Sequence, residues 1–151
     1  MRNYVLALAA TCAFATPAVA GESRIEARGG IYFAEGVSDE AIAGVAVGHD
    51  FDLSENGFAG VELSADKLLT DGTQVVVGAT GRVGIKTGGT RLFFTGGYSS
   101  KACTLCEDSV TAGAGAQQNL NERLFTKVEY RHFFNDFGDG NVIAAGLGLR
   151  F

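Results

Sequence analysis

Residues 141–151 read Asn-Val-Ile-Ala-Ala-Gly-Leu-Gly-Leu-Arg-Phe, a stretch in which apolar residues recur at every second position. Successive side chains of a β-strand point to opposite faces of the sheet. One face of this strand would therefore carry Ile143, Ala145, Leu147, Leu149 and Phe151. The other face would carry Ala144, Gly146, Gly148 and Arg150. The alternation predicts a strand with one apolar face and one face of small and charged residues.

The same two-residue period recurs along the chain and is interrupted each time by residues typical of turns. Asn56-Gly57, Asp71-Gly72 and Gly88-Gly89 are three such turn sequences. The 22 glycines argue against a helical bundle, because each Gly inside a helix costs about 1 kcal/mol relative to Ala. We predict eight strands, over residues 24–33, 41–53, 57–68, 73–87, 90–100, 108–119, 123–134 and 141–151.

The N-terminus has the features of a secretory signal peptide. A short positively charged segment, Met1–Asn3, precedes the mostly apolar Tyr4–Ala15, and Ala18–Ala20 matches the small-residue cleavage pattern. We therefore predict a signal peptide over residues 1–20 and one mature domain over residues 21–151. Cleavage would remove one cation and change the formal net charge from −5 to −6. Export argues against a cytosolic enzyme, and the acidic charge argues against nucleic-acid binding.

The composition of the two strand faces distinguishes a membrane barrel from a soluble one. A soluble barrel keeps its large apolar residues inside, but a face of Gly, Ala, Thr, Glu and Arg cannot form a dry core. Such a face can fill the polar interior of a narrow barrel whose apolar outside meets lipid. The predicted fold is all-β: an eight-stranded antiparallel up-and-down transmembrane β-barrel after a cleaved signal peptide. A soluble β-sandwich is the alternative.

Three segments resemble a known family: Gly44–Phe51, Lys127–Phe133 and Ala145–Phe151. On these residues the chain resembles the small eight-stranded outer-membrane β-barrels of Gram-negative bacteria, the opacity-protein and OmpA/OmpX-like group labelled "porin family". The resemblance implies location in the bacterial outer membrane, in contact with its lipid and lipopolysaccharide. It also implies a signal for the barrel-insertion machinery that consists of Leu147, Leu149 and Phe151.

The predicted inner face carries charges of both signs. They are Arg24, Glu26, Arg28, Asp50, Asp52, Glu62, Asp66, Arg82, Lys86, Arg91, Lys127, Glu129, Arg131 and Arg150. An eight-stranded barrel is just wide enough inside for side chains, and unpaired charges there would be very costly. We predict that these residues form a salt-bridge network that plugs the lumen. A narrow, gated ion path through the network is the alternative.

Cys103 and Cys106 occupy the connection between the fifth and sixth predicted strands. A β-turn brings its first and fourth Cα atoms within about 7 Å, which is close enough for a disulfide. The oxidising compartment reached by export favours that bond, so we predict a disulfide between these two residues. Neither His49 nor His132 has metal-ligand spacing to this pair, and we predict no metal site and no cofactor.

No nucleophile, base and orienting group occur together in the sequence, and we therefore do not predict an enzyme. His132 falls on the lipid-facing side, where an aromatic-belt role is expected. The connections predicted to face outward are acidic, with Glu35, Asp39, Glu40, Asp71, Glu107, Asp108, Asp136 and Asp139 against Lys101. They could bridge to lipopolysaccharide phosphates through divalent cations or bind a basic partner, although no residue identifies a surface partner. The predicted function is an envelope-structural or surface-interaction role as a monomer, and the alternative is a low-conductance channel.

Overall fold

The computed structural model describes residues 21–36, 38–103, 108–134 and 139–151. They form β1 (Gly21–Ala34), β2 (Glu40–Asp52), β3 (Gly57–Leu68), β4 (Val75–Thr87), β5 (Thr90–Ser99), β6 (Ser109–Asn119), β7 (Leu124–Phe134) and β8 (Gly140–Arg150). Each strand pairs antiparallel with the next, and β8 pairs with β1 to close the barrel. The predicted all-β, eight-stranded fold is confirmed. The predicted signal peptide, residues 1–20, lies outside the described residues.

The two ends of the barrel differ in the length of their connections. The β2–β3, β4–β5 and β6–β7 connections are short turns, and this end is called the short-turn end. The connections β1–β2, β3–β4, β5–β6 and β7–β8 are longer, and they define the long-connection end. Outer-membrane barrels have short periplasmic turns and longer extracellular loops, and the two ends of this barrel differ in the same way.

The outer wall of the barrel is apolar. Strands of 10 to 14 residues, at about 3.3 Å per residue and a tilt of about 40°, are long enough to cover an apolar band about 25 Å tall. The side chains of Leu147, Leu149 and Phe151, the predicted insertion signal, are all exposed on this wall. The backbone of Phe151 also extends the β1–β8 pairing, because its N–H and C=O bond Ser23 at 3.0 and 2.9 Å.

The described residues contain no helix that is long and apolar enough to cross a membrane.

The inner wall is more varied than the sequence analysis predicted, because it also holds large apolar side chains. At the long-connection end, Ile42, Val142 and Ala144 are buried together and pack against Tyr32, Leu68 and Phe133; these six residues are called the apolar cap. Near the short-turn end, Phe58, Phe93 and Phe125 are buried and are called the phenylalanine layer. Large side chains can occupy these positions because the glycines of neighbouring strands leave space on the inner wall, as Gly148 does beside Phe125.

Gly84, on the inner wall of β4, gives a test of this packing. A Cβ atom there would lie 2.1 Å from the carbonyl oxygen of Leu92 and 2.9 Å from the Cα atom of Phe93. Because backbone atoms cannot move aside cheaply, we expect Gly84→Ala to lower the free energy of unfolding by about 1–3 kcal/mol. Urea unfolding in detergent micelles, followed by circular dichroism, measures the change.

The matched control for that substitution is Gly81→Ala. A Cβ atom at Gly81 would meet only the carbonyl oxygen of Gly96, at an ordinary contact distance of 3.7 Å. Equal unfolding midpoints for Gly84→Ala and Gly81→Ala would contradict the close approach at Gly84.

Candidate functional site: the charged lumen

Asp50 on β2 is the centre of the buried charge network. Its carboxylate is fully buried and accepts hydrogen bonds from three arginines on three other strands. Arg24 Nη1 and Arg82 Nε bond Oδ1 at 2.8 and 2.7 Å. Arg91 Nη1 bonds Oδ2 at 2.8 Å, and Arg82 Nη2 bonds the same oxygen. The two oxygens of Asp50 therefore join β1, β4 and β5 to β2 across the lumen.

Aromatic rings flank two of these arginines. The guanidinium carbon of Arg82 lies 5.2 Å from the ring centroid of Phe58 and 5.0 Å from that of Phe93. Arg91 lies 5.6 Å from the ring centroid of Phe58. A desolvated cation over an aromatic face gains about 2 kcal/mol, so the rings compensate part of the hydration that burial removes. The sequence analysis missed this role of the phenylalanines.

Glu62 on β3 links Asp50's arginines to the rest of the network. Its Oε2 accepts a hydrogen bond from Arg24 Nη2 at 2.7 Å and one from Lys127 Nζ at 3.2 Å. Its Oε1 lies 3.2 Å from Arg28 Nη1 and 3.5 Å from Arg131 Nη2. Glu62 thus contacts cations from β1 and β7, on both sides of the lumen.

The remaining buried carboxylates surround Lys127 on β7. Its Nζ lies 2.6 Å from Glu26 Oε1 and 3.2 Å from Glu129 Oε2. Although the ion pair with Glu26 is close, neither oxygen of that carboxylate has a hydrogen bond of good geometry within the described residues. Arg131 pairs with Glu129 on its own strand.

A further ion pair of the same network joins β1 to β3. Arg28 Nε and Nη2 bond the two oxygens of Asp66 at 2.8 and 2.5 Å, in the bidentate geometry typical of Arg and carboxylate.

The short-turn rim differs from the prediction in two respects. Asp52 and Lys86 pair with each other at this rim, where the Asp52 side chain is 47% exposed, so this pair lies outside the buried network. The reason is that each lies at the end of its strand, where the lumen opens to solvent. Glu22 was missed because β1 begins three residues before the predicted start. It lies 2.9 Å from Arg91 and 2.7 Å from Arg150.

The structure therefore brings together all the predicted lumen charges except that rim pair, and it adds Glu22. The cations are Arg24, Arg28, Arg82, Arg91, Lys127, Arg131 and Arg150, and the carboxylates are Glu22, Glu26, Asp50, Glu62, Asp66 and Glu129. Among the described residues these charges nearly balance.

The remaining predictions concern the cysteine pair, His132 and metal binding. Cys103 is disulfide-bonded, whereas Cys106 lies outside the described residues, so the pairing between them stays a prediction.

His132 lies on the outer wall, with Nδ1 2.9 Å from Asn141 Oδ1 and Nε2 3.4 Å from Asp139 Oδ2. Within the described ranges, no group of His, Cys, Asp and Glu side chains could hold a metal ion.

Asp108 fixes the base of the β5–β6 connection. Its Oδ2 accepts a hydrogen bond from the hydroxyl of Tyr98, and its Oδ1 accepts one from the backbone N–H of Lys101 at 2.9 Å. The Tyr98 hydrogen bond is the main cause that holds the pKa of Asp108 below its ordinary value, and the Lys101 N–H adds to it. A carboxyl whose pKa is lowered in the folded state stabilises the fold at pH values above its unfolded-state pKa. This stabilisation is lost as the pH falls through the folded-state pKa.

We expect Tyr98→Phe to raise the pKa of Asp108 towards the ordinary value, because the phenol donor is removed. The pKa should remain somewhat below that value, since the Lys101 N–H still bonds the carboxylate. Carboxyl-carbon NMR titration of both proteins in detergent measures the shift. An unchanged pKa in Tyr98→Phe would mean that the phenol does not bond Asp108 in solution.

We expect Asp50→Asn to lower the free energy of unfolding by about 3–5 kcal/mol, because it leaves three buried arginines without their shared counter-charge. Urea unfolding of the folded barrel in lipid vesicles measures the change. The control is Asp52→Asn, which alters the exposed pair with Lys86 and should cost no more than about 1 kcal/mol. Similar losses for the two variants would contradict the central position of Asp50.

Comparison with solved structures finds the same fold in small outer-membrane barrels. The N-terminal β-barrel domain of Pseudomonas aeruginosa OprF is 18% identical, with a TM-score of 0.66, and the match covers 87% of this chain and 99% of that one. Ail, the attachment invasion locus protein of Yersinia pestis, is 15% identical, with a TM-score of 0.61 and the same coverage. Neisserial surface protein A is 11% identical, with a TM-score of 0.56, over 87% of this chain and 97% of that one. No family model and no curated protein matches the sequence. The likeness shows a fold shared with these barrels.

Proposed function

We propose that this protein is a monomeric outer-membrane barrel of a Gram-negative envelope, closed to ion flow, with an envelope-structural or surface-interaction role. The observation that carries the proposal is the inverted distribution of its side chains. Leu, Val, Ile and Phe side chains are exposed all around the outer wall, while six cations and four carboxylates of the described residues are buried inside. In water this arrangement would expose apolar surface and bury charge at great cost, but in lipid it is favourable.

Closure of the lumen is supported by the connectivity of the ion pairs. Asp50 and Glu62 each contact cations on more than one strand, so an ion path would have to break several pairs together. Separating one partner of a buried ion pair costs about 3–5 kcal/mol, which makes a spontaneous opening rare. The apolar cap lies at the long-connection end of the same lumen, and its six side chains offer no charge to a passing ion.

A surface role is supported by the charge of the long-connection end. The described acidic residues there are Glu35, Asp39, Glu40, Asp71, Asp108 and Asp139, with Lys101 as the described cation; Glu107 and Asp136 lie outside the described residues. Such an end suits divalent-cation bridges to lipopolysaccharide phosphates or a basic partner. One structural neighbour, Ail, carries attachment in its name. Leu147, Leu149 and Phe151 would serve as the signal to the insertion machinery.

Two measurements on one preparation test the proposal. Unboiled and boiled samples of the membrane-extracted protein should migrate differently on a detergent gel, because a lipid-embedded barrel resists detergent until it is heated. The same protein in planar bilayers should then show no reproducible unitary conductance.

Recovery in the soluble periplasmic fraction, with identical migration before and after heating, would contradict membrane placement. Reproducible unitary conductance that Arg82→Gln or Glu129→Gln abolishes would instead contradict closure and favour the low-conductance channel. Detergent sensitivity and host-surface binding of a deletion strain, compared with its parent, would then separate the structural role from the surface role.

A further inference from the structure

A polar cluster lies on the outer wall at the long-connection end, apart from the charged lumen. It consists of Tyr130 and His132 on β7, Asn141 on β8, and Asp139, which directly precedes β8. The ring of His132 packs edge to face against that of Phe134, with centroids 4.5 Å apart and an angle of 74° between the planes. This packing and the hydrogen bond to Asn141 orient the imidazole, so each ring nitrogen faces one defined group.

The side-chain oxygen of Asn141 determines which nitrogen of His132 carries a proton. The hydroxyl oxygen of Tyr130 lies 2.6 Å from Asn141 Oδ1. This distance is ordinary for an O–H···O hydrogen bond but too short for an N–H···O one, so the amide oxygen faces the tyrosine. The same oxygen lies 2.9 Å from His132 Nδ1. Because an amide oxygen can only accept, Nδ1 must be the donor.

The other ring nitrogen, Nε2, faces a carboxylate. It lies 3.4 Å from Asp139 Oδ2. A neutral imidazole whose single proton is on Nδ1 has an acceptor at Nε2, and two acceptors cannot form a hydrogen bond with each other. A protonated imidazole instead donates from both nitrogens and carries a positive charge. The contact with Asp139 is therefore attractive only when His132 is charged.

The neighbouring elements bring no second cation to this contact within the described residues. The strand partner of His132 on β6 is Ala112, and the partner of Asn141 on β1 is Phe33. Arg131, the next residue along β7, is buried in the lumen and pairs with Glu129. The charged residues of the other connections at this end are Glu35, Asp39, Glu40, Asp71, Lys101 and Asp108.

We propose that His132 and Asp139 form a pH-dependent latch, in which protonation of the imidazole in mild acid attaches the end of the β7–β8 connection to the outer wall. Imidazole is the side chain whose charge normally changes between pH 5 and 8. The ion pair holds the start of β8 against β7 in acid, and it is lost as the pH rises and the imidazole becomes neutral. The latch goes beyond the proposed function, because neither a closed lumen nor an acidic surface requires a charge that responds to pH.

The ring nitrogen chemical shifts of His132, measured by NMR in lipid nanodiscs, test the geometry. At about pH 8 we expect the proton on Nδ1, whereas a free imidazole carries it mostly on Nε2, and at about pH 5.5 we expect both nitrogens to be protonated. The variant His49→Gln identifies the signals, because His49 is the other histidine of the chain. A proton on Nε2 at about pH 8 would overturn the proposal, since that form bonds Asp139 without taking up a second proton.

Amide hydrogen exchange at the start of β8 tests the latch itself. After correction for the intrinsic exchange rate at each pH, the backbone amides of Gly140 and Asn141 should be protected more strongly at about pH 5.5 than at about pH 8. We expect a difference of about two- to fivefold, which is the range for a solvent-exposed ion pair.

Two variants give the controls for the exchange experiment. Asp139→Asn should abolish the difference, because a carboxamide accepts from the charged imidazole and donates to the neutral one. Asp108→Asn removes a carboxylate at the same end whose hydrogen bonds go to Tyr98 and Lys101, and it should preserve the difference. Equal protection of the wild type at both pH values, or a difference that survives Asp139→Asn, would overturn the latch and leave the closed barrel unaffected.

Discussion

The carboxylate of Asp50, held by three arginines, is the interaction on which the interior of this barrel depends. A narrow lumen surrounded by an apolar wall has a low dielectric, and an isolated charge inside it would be very costly. Four N–H groups from Arg24, Arg82 and Arg91 reach the two oxygens of Asp50, so each of these cations shares one counter-charge. Two more carboxylates add negative charge at the two ends of the cluster: Glu62 pairs with Arg24, and Glu22 pairs with Arg91.

The space for this network comes from small residues on the inner wall. Arg24 extends its guanidinium over Gly48, where a Cβ atom would lie 2.6 Å from the guanidinium carbon. Gly60 similarly admits Asp50 Oδ1. The high glycine content thus follows from the charge content, because a barrel of eight strands cannot hold both large side chains on every strand and a set of paired arginines. The apolar cap occupies the long-connection end, whereas two rings of the phenylalanine layer pack against Arg82 and Arg91 near the short-turn end.

The period-two alternation predicted the eight strands and the face to which each charge points, because a strand's geometry assigns alternate residues to opposite faces whatever their partners. It also predicted the excess of small residues on the inner wall. Glu22 was missed because β1 begins at Gly21, ahead of Ile25, the first apolar residue of the alternation. The buried phenylalanines were missed because Phe occurs on both faces: Phe93 points into the lumen and its neighbour Phe94 points outward.

The sequence by itself determined the number of strands, their antiparallel order and the polar character of the interior, since local alternation and turn chemistry are enough for these. The tertiary structure decided which charges meet. Asp50 lies next to Arg24 in space because of the β1–β2 register, but it reaches Arg82 and Arg91 only because the closed sheet brings β4 and β5 to face β2. The tilt and stagger of the strands set such contacts, and residue alternation carries no information about either.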